Sequence, residues 1–541
     1  MLLLLLRENF IIKNNCKKEA MKTIYLYAIL TICICTTQTK AQSLDSTFGT
    51  NGKVHTSFGN FSTYFNALAM QNDGKIYAVG AKEGSFSETN GIFISRYNTD
   101  GLLDISYNST GVNGAPGTKE IGYGSSFEFC HTAALQPDNK LIVAGSSNGS
   151  FSISRLLENG DYDTDFSGDG KMIYSFGTGN GSKINKILLQ SDGKILAIGQ
   201  AYSGTDYDFG VARYNTDGSL DTTFGVSGKV RVAIGPANDF GQDAVLQPDG
   251  KIVITGYSKN ALGYDTFSAI RLNNDGSLDI SFATNGKIYF NIPSKLDCVA
   301  EAVTLQSDGR ILIAGHADGD FAVLRYNTNG TLDNSFGNSG YTTTDFGNSQ
   351  DKVYAISIQA NGQIILAGHS YDPLISTFLD FGIASYNADG SLDNTFDTDG
   401  KMTISMGYSS GIKDMIIQND GKLIFGGYST ENQNSNTRYS LLRLNAANLS
   451  INENLSNNNS KVSLYPNPTN QYISIMSTMK IENIELFNIH GQQVNIKNKI
   501  INNTIDLSGF SNGIYFVKLN SNRTFKINKL WYHFLKFLLL P

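Results

Sequence analysis

The chain has 541 residues, of which 40% are hydrophobic, 17% are charged and 55 are glycine. Abundant Gly, Phe and Tyr with only 9 Pro favour strands and tight turns, and exclude a disordered chain, a coiled coil and a multi-pass membrane protein. Residues 42–459 hold 27 basic and 43 acidic residues, a net charge of −16. An acidic body repels phosphate backbones, so we expect no nucleic-acid partner.

The first 41 residues have the order of a secretory signal peptide. Met21 and Lys22 open a short basic region, the apolar run Ile24–Cys35 follows, and a polar stretch ends at Ala41. We expect translation to start at Met21 and cleavage to remove residues 1–41. The apolar run is too short to span a bilayer comfortably, so we expect no transmembrane anchor.

A unit that begins Gln-x-Asp-Gly-Lys-Ile recurs along the chain. Each unit holds four strand-like pieces, and its Asp-Gly pair supplies the positive φ angles of a tight hairpin. Four short antiparallel strands in each of seven units predict an all-β fold, a β-propeller with seven blades. The units begin at Gln71, Gln136, Gln190, Gln247, Gln306, Gln359 and Gln418.

The two ends of the repeat region are complementary. The first strand-like piece of the region, around Lys53, corresponds to the fourth strand of a repeat, but no first, second or third strand precedes it. The last strand-like piece, around Arg443, corresponds to the third strand of a repeat, and no fourth strand follows it. We therefore expect the N-terminal strand to complete the last blade and close the ring without an open edge.

The repeated motifs also resemble a known family. Leu-Asp-x-x-Phe-Gly, Gln-x-Asp-Gly-Lys-Ile and Arg-Tyr-Asn-x-Asp-Gly, spread over residues 44–445, resemble the delta-60 repeat family of bacterial extracellular proteins. Departures are local: Asn139 replaces a Gly, Ser385 replaces the Arg, and Tyr107 stands where Phe is usual. The resemblance implies a propeller-like array but brings no catalytic residues with it.

A second domain follows the repeats. Residues 450–461 have the composition of a linker, residues 462–529 read as short strands and turns, and residues 530–541 form an atypical apolar tail. The motif residues of this domain are Tyr465, Pro466, Asn467, Pro468, Gly491, Gly513 and Tyr515.

These motifs resemble the C-terminal sorting domain of type IX (Por) secretion substrates of Bacteroidota, a small β-sandwich. The resemblance implies the type IX secretion machinery as a partner, and delivery through the periplasm to the outer-membrane surface or the medium. An ordinary β-sandwich binding domain is the alternative. The tail departs from the family's usual ending and puts recognition by the machinery in doubt.

One position offers a candidate binding site. The residue after the Gly that ends the second strand is equivalent in every repeat, so these residues should form a ring. His316, Asp318 and His369 also invite a Zn²⁺ or Mn²⁺ interpretation; polar loop residues without a ligand are the alternative, and we expect no metal. The candidate binding ring is Gln200, Tyr257, His316, His369 and Tyr428.

The Asn-x-Asp-Gly-x-Leu-Asp loops allow a Ca²⁺ interpretation, but hairpin chemistry alone explains the Asp-Gly pairs, so we expect no cofactor. The sequence has no phosphate-binding loop and no nucleophile motif, and we predict no catalytic residues. Cys130 and Cys298 survive signal cleavage, and we expect both to be buried and unpaired. The loop carboxylates are Asp100, Asp104, Asp217, Asp221, Asp275, Asp279, Asp389 and Asp393.

The loops between the second and third strands vary in length, as at Gly80–Phe93 and Gly368–Phe381. Variable loops on one face of a rigid scaffold are typical of binding sites. We therefore predict a binding or adhesion module for a glycan or a protein. The alternatives are a polysaccharide hydrolase or lyase, which needs carboxylates or a His and a carboxylate at the axis, and a surface structural protein without a small ligand.

Overall fold

The structure is a computed structural model of the chain. The described residues of the repeat region are 42–59, 61–82, 91–124, 128–176, 181–347, 350–371 and 378–446. Those of the C-terminal region are 462–465, 472–477, 481, 483–488, 493–496, 500–501, 504–511, 513–519 and 523–529. The predicted signal peptide, linker, tail and most of the two variable loops lie outside them, as do Pro466, Asn467, Pro468 and Gly491.

The chain divides into two compact units, Met1–Leu449 and Ser450–Pro541. In the described residues every regular element of the first unit is a strand, and these strands form seven four-stranded antiparallel sheets. No helix among the described residues is long and apolar enough to cross a membrane.

The sheets are numbered in chain order, and the strands of each sheet run from first to fourth. Sheet 1 has β2 (Thr63–Met70), β3 (Ile76–Lys82), β4 (Ile92–Tyr97) and β5 (Thr118–Ile121). Sheet 2 has β6 (Glu128–Leu135), β7 (Leu141–Ser147), β8 (Ser150–Leu156) and β9 (Lys171–Tyr174). Sheet 3 has β10 (Lys183–Leu189), β11 (Ile195–Tyr202), β12 (Tyr207–Tyr214) and β13 (Lys229–Val232).

Sheet 4 has β14 (Asp239–Leu246), β15 (Ile252–Lys259), β16 (Asp265–Leu272) and β17 (Lys287–Phe290). Sheet 5 has β18 (Cys298–Leu305), β19 (Ile311–Ala317), β20 (Asp320–Tyr326) and β21 (Tyr341–Thr344). Sheet 6 has β22 (Lys352–Ile358), β23 (Ile364–Ser370), β24 (Asp380–Tyr386) and β25 (Lys401–Ile404). Sheet 7 has β26 (Ser409–Ile417), β27 (Leu423–Thr430), β28 (Arg438–Leu444) and β1 (Lys53–Thr56).

Sheet 7 joins the two ends of the repeat region. Strand β1 pairs antiparallel with β28, with Lys53 opposite Leu442 and Thr56 opposite Tyr439. Around the unit, the first strand of each sheet contacts the first strand of the next, and β26 contacts β2. The first strands therefore lie innermost.

The apolar core lies between sheets. The second and third strands are buried almost throughout because neighbouring sheets cover both of their faces, which explains their continuous apolar sequences. Each neighbouring pair of sheets shares one apolar cluster, and the cluster between sheets 7 and 1 includes Phe65, Leu68 and Tyr439. Cys130 and Cys298 are buried free thiols within this packing, as predicted.

An arginine and an aspartate fasten neighbouring sheets together. In sheet 4, Arg271 Nε donates to Asp279 Oδ2 at 2.8 Å, and Arg271 Nη1 donates to the backbone oxygen of Thr328 in sheet 5 at 2.6 Å. We call this arrangement the Arg–Asp latch. It recurs in six sheets, whereas sheet 6 has Ser385 in place of the arginine. The latch pairs are Arg96–Asp104, Arg155–Asp163, Arg213–Asp221, Arg271–Asp279, Arg325–Asp333 and Arg443–Asp45.

The second unit has two four-stranded sheets. One has the order β29 (Val462–Tyr465), β30 (Tyr472–Ser477), β34 (Thr504–Asp506) and β33 (Ile500–Ile501). The other has the order β32 (Gln493–Val494), β31 (Ile484–Asn488), β35 (Gly513–Leu519) and β36 (Arg523–Lys529).

Residues from both sheets of the second unit form one apolar cluster, which includes Ile473 and Val517. Tyr515 is buried, and its hydroxyl donates to the backbone oxygen of Ser511 at 2.9 Å. Two of the predicted sorting-motif residues, Gly513 and Tyr515, thus lie on β35.

Candidate functional site

Every first strand of the repeat region has the same irregularity. In β18, Ala300 lies opposite Gly315 and Ala302 lies opposite Ala314, so Glu301 has no partner in the ladder. Such a β-bulge changes the direction of one side chain, which no longer follows the regular alternation between the two faces of the sheet. The seven bulge residues are Asn66, His131, Asn185, Gln242, Glu301, Tyr354 and Lys413.

The glycine predicted to end the second strand lies two or three residues before the end of that strand, and it makes room for the bulge. A Cβ at Gly315 would lie 1.9 Å from the backbone oxygen of Val299, a distance that real Cβ atoms do not reach. The equivalent glycines meet the equivalent carbonyl at 1.8 to 2.0 Å, which is why no other residue stands there. These glycines are Gly80, Gly145, Gly199, Gly256, Gly315, Gly368 and Gly427.

All seven bulge residues are polar and half-buried. They lie on the innermost strands, and neighbouring members touch: Asn185 Nδ2 donates to Gln242 Oε1 at 2.8 Å. Lys413 Nζ lies 3.4 Å from the centre of the Tyr354 ring, a cation–π contact. The bulges therefore gather polar side chains from different sheets.

The candidate binding ring lies next to the bulges. Each of its residues is opposite the first-strand residue that comes two positions before a bulge. These positions lie at the end of the sheets where the second strand leads into the variable loop, which we call the loop end. The opposing pairs are Lys183 and Gln200, Phe240 and Tyr257, Val299 and His316, Lys352 and His369, and Gly411 and Tyr428.

Glu301 and Lys413 are the two charged bulge residues, and the pKa of each is shifted. Burial raises the pKa of Glu301 to about 7, although Lys413, Lys352 and Lys183 act in the opposite direction. Burial lowers the pKa of Lys413 to about 8, against the attraction of Glu301. A carboxyl and an amine with pKa values shifted toward neutrality from opposite sides are typical of functional sites.

His316 and His369 lie beside these charges and are neutral. Each is only 7% exposed, and the Nδ1 atom of each has no hydrogen-bond partner. Burial, and then the nearby Lys352 and Lys413, lower the pKa of both rings to about 3. Two buried imidazoles therefore keep an unused hydrogen-bonding atom at the loop end.

Three charged residues, Lys186, Asp243 and Asp414, come directly after bulge residues on the first strands. Lys186 Nζ lies 2.8 Å from Asp243 Oδ1, and Asp243 Oδ2 accepts the backbone N–H of Val303 at 2.9 Å. Asp414 accepts the N–H of Leu68 at 2.8 Å, and burial raises its pKa to about 6. These carboxylates are engaged with the fold, in contrast to the histidines.

A cavity and a run of aromatic rings border the bulges at the loop end. The aromatic run is Tyr202, Tyr207, Phe240 and Tyr257, with successive ring centres 5.2, 5.6 and 4.9 Å apart, and all four side chains are partly exposed. The cavity measures about 360 Å³ and is lined by Phe129, His131, Ser146, Gly149, Gly181, Ser182 and Lys183.

The metal hypothesis for His316, Asp318 and His369 gains no support from the geometry. Asp318 Oδ1 accepts the backbone N–H groups of Leu296 and Asp297, at 3.0 and 2.9 Å. Among the described residues, the acidic groups close enough for a shared cation are instead Asp320, Asp345 and Asp351, whose oxygens lie within 4.8 Å of one another.

The loop aspartates proposed for Ca²⁺ have structural partners. Asp275 accepts the backbone N–H of Ser277 at 2.9 Å, which caps the turn. Asp279 belongs to an Arg–Asp latch and also lies 3.0 Å from Lys251 Nζ. Hairpin and latch chemistry thus account for the recurrence of both carboxylates.

The bulge residues were not among those predicted from the sequence. Their signal is the recurring Gly of each second strand, since the bulge begins opposite that Gly. The extra residue interrupts an alternation that short apolar strands show only weakly, so the sequence alone gives no reason to select Glu301 or Lys413.

Seven four-stranded sheets with their first strands innermost define an all-β repeat protein of the propeller type. Family models agree, because a domain of unknown function, the DUF5122 beta-propeller, matches seven times and a secretion system C-terminal sorting domain matches residues 463–532. The chain therefore carries a DUF5122 β-propeller repeat region and a type IX sorting domain, as the motifs predicted. The repeats match at 71–107, 136–166, 190–224, 247–282, 306–336, 359–396 and 418–453.

The sorting domain indicates export by the type IX secretion system to the cell surface or the medium. A comparison with curated proteins gives no match.

Solved structures with a similar fold include a catalytically inactive virginiamycin B lyase from Staphylococcus aureus with quinupristin (11% identity, TM-score 0.43, 72% of this chain and 98% of that one). Polysaccharide lyase Uly1 is similar at 10% identity and TM-score 0.43, over 75% of this chain and 100% of that one. PorZ, a surface component of the type IX secretion system of Porphyromonas gingivalis, is similar at 12% identity and TM-score 0.37, over 86% and 59%. Likenesses at this level carry no inference about activity.

Proposed function

We propose that the exported chain is a surface binding protein, and that the bulge residues and the candidate binding ring form its ligand site at the loop end. In this proposal residues 1–41 are a cleaved leader and residues 42–449 form a seven-bladed ring closed through β1. Residues 450–461 are then a linker, residues 462–529 a β-sandwich that the secretion machinery recognises, and residues 530–541 an atypical apolar tail.

One observation carries the proposal: the bulge position is polar in all seven sheets but nearly always a different residue. Positions that serve the fold repeat the same residue, as the second-strand Gly does in every sheet and the Arg–Asp latch does in six. Six residue types at seven equivalent sites, all half-buried and none apolar, make an asymmetric polar surface. Asymmetry of this kind is what recognition of one ligand in one orientation requires.

The aromatic run favours a glycan over a protein as the ligand. Tyr202, Tyr207, Phe240 and Tyr257 form a series of partly exposed rings at the loop end. The C–H faces of sugar rings stack on aromatic rings, while hydroxyl groups take the hydrogen bonds that side chains such as Asn185 and Gln242 offer.

A polysaccharide lyase or hydrolase is the second candidate, favoured by Glu301 and Lys413. Their shifted pKa values suit one group to donate and the other to accept a proton near neutral pH. A lyase suits the site better than a hydrolase, because glycoside hydrolysis uses two carboxyl groups and the neighbouring Asp243 and Asp414 accept backbone hydrogen bonds.

Glycan-array binding of the full exported chain tests the binding function. Tyr257→Ala and Tyr354→Ala should each weaken binding at least about tenfold, since stacking on one aromatic ring contributes about 1 to 3 kcal/mol. Ile280→Ser is the matched control, because Ile280 is 74% exposed on a loop between third and fourth strands, at the opposite end of the sheets. All three variants should keep the melting temperature of the unsubstituted chain within a few degrees.

Loss of binding in Ile280→Ser as well would contradict a loop-end site. A blank array with a folded chain would reject glycan binding and leave a protein ligand or a structural role. Release of shortened, unsaturated products by the unsubstituted chain but not by Glu301→Gln would replace the binding module with the lyase.

A further inference from the structure

We propose that the ligand is an acidic polysaccharide, a polymer of carboxylate-bearing sugar rings, whose carboxylates bind Lys183, Lys352 and Lys413. This inference rests on the binding site proposed above and names its ligand class.

The three lysines lack ion-pair partners among the described residues. Several other lysines of the repeats are paired, as Lys194 is with Asp221 at 3.0 Å and Lys251 is with Asp279 at 3.0 Å. Within the part of the chain that the structure describes, no such pair is formed by Lys183, Lys352 or Lys413, although all three are half-buried. Glu301 is the carboxyl whose charge acts on all three lysines, and one carboxyl cannot balance three cations. Half-buried cations in excess over their counter-charge are costly, so an anionic ligand would gain by supplying the missing charge.

The local charge is opposite in sign to the average charge of the region. Residues 42–459 carry a net charge of −16. At the loop end, however, the bulge residues and the residues two positions before them comprise three lysines and one carboxyl, Glu301. A small basic surface at the loop end of an otherwise acidic repeat region attracts an anion to that end, while the rest of the region repels it.

The register places the three cations on different sheets, within two residues of the bulge position. Lys183 and Lys352 are each two residues before a bulge, on β10 and β22, and Lys413 is the bulge residue of β26. Lys183 also lines the 360 Å³ cavity between sheets 2 and 3. Cations spread over three sheets match a polymer with spaced charges better than a single small anion.

The uncharged neighbours suit sugar rings. The aromatic run offers stacking surfaces that lead from sheet 3 to sheet 4. His316 and His369 are buried and neutral, so they add no charge of their own to this end of the sheets. A polyuronate combines apolar ring faces, hydroxyl groups and carboxylates, whereas an acidic peptide lacks the ring faces.

Titration calorimetry of the full exported chain with three polymers of equal length tests this inference. The probes are polygalacturonate, its carboxyl-reduced counterpart and polyglutamate. We expect polygalacturonate to bind at least about tenfold more tightly than either of the others, because only this polymer offers both carboxylates for charge-assisted hydrogen bonds and sugar rings for stacking.

Lys352→Gln and Lys413→Gln should each weaken polygalacturonate binding about tenfold and reduce its dependence on salt. Lys401→Gln removes the same charge from β25 of sheet 6, at the outer edge of that sheet, and should leave the affinity unchanged. An equal loss in Lys401→Gln would show that overall charge, and not this site, attracts the polymer, and would overturn the inference.

The remaining outcomes separate this inference from the proposed function. Equal binding of the reduced polymer, with binding still lost in Tyr257→Ala, would keep the glycan site and refute the charge recognition. Polyglutamate binding as tight as polygalacturonate would refute the sugar polymer and assign an acidic protein segment. No binding of any of the three polymers would refute the acidic polysaccharide, and the glycan array then decides separately whether the binding function stands.

Discussion

Arg271→Ala should destabilise the repeat region by about 3 kcal/mol, because it removes an Arg–Asp latch between sheets 4 and 5. Arg271 is 6% exposed and donates to Asp279 at 2.8 Å and to the backbone oxygen of Thr328 at 2.6 Å. Charge-assisted hydrogen bonds contribute about 1.5 to 3 kcal/mol each, and removal of one partner of a buried pair costs about 3 to 5 kcal/mol. Lys251 stays 3.0 Å from Asp279, which favours the lower end of that range.

Urea unfolding followed by circular dichroism measures the effect as a lower midpoint at an unchanged slope. The control is Arg231→Ala, since the Arg231 side chain is 47% exposed and pairs with Asp208 at 3.1 Å. An exposed pair of this kind contributes less than about 1 kcal/mol. If Arg271→Ala costs no more than Arg231→Ala, the latch is not what fastens the two sheets.

The latch also predicts how stability depends on pH. Burial alone would raise the pKa of Asp279, but hydrogen bonds from Ser281, Lys251 and Arg271 hold it well below its ordinary value. A depressed carboxyl pKa contributes stability above the unfolded value, near 4, and that contribution is lost as the pH falls further. Arg271→Ala should therefore weaken the loss of stability in acid, and identical acid profiles would contradict this.

Three further predictions concern the other structural features. The double substitution Gln363→Lys and Ser385→Arg should rebuild the missing latch in sheet 6 and raise stability by about 1 to 2 kcal/mol in urea; an unchanged midpoint would contradict it. Gly315→Ala should cost at least about 2 kcal/mol, because its Cβ would lie 1.9 Å from a backbone oxygen, and thermal melting equal to that of the unsubstituted chain would refute the glycine's role. The pKa of Asp414 rises on folding from 3.8 to about 6, so its contribution to stability is complete below 3.8 and is lost as the pH rises through 6. Asp414→Asn should remove this dependence and stabilise the chain at pH 7 by about 1 to 3 kcal/mol; parallel pH profiles of the two proteins would argue against it.

Much of the fold follows from local sequence signals. The Asp-Gly pairs form the hairpins between first and second strands, and where Asn139 replaces Gly it takes the same left-handed conformation, with φ of 65°. Continuous apolar runs mark the second strands because both faces of each sheet are covered. These properties depend on the residue and its immediate neighbours, so one sequence suffices to predict them.

The candidate site depends on register and could be predicted only in part. The ring that includes His316 and His369 follows from counting residues within the repeats. The bulge that exposes Glu301 depends on how β18 pairs with β19, which the alternation of so short a strand does not determine. Lys183 and Lys352 come to the same end of the repeat region only when distant repeats assemble. The net charge of −16 of residues 42–459 gives no indication of this local positive charge.

The pairing of β1 with β28 has a consequence for the order of assembly. His55 and Ser440 lie 385 residues apart in sequence, yet their side chains meet at 3.0 Å. Sheet 7 can be completed only after the last repeat has been synthesised and both ends are free to meet, so we expect it to form late in folding. Proteolytic trimming of the amino terminus beyond Lys53 would leave β28 as an unprotected edge, open to pairing with the strand of another molecule.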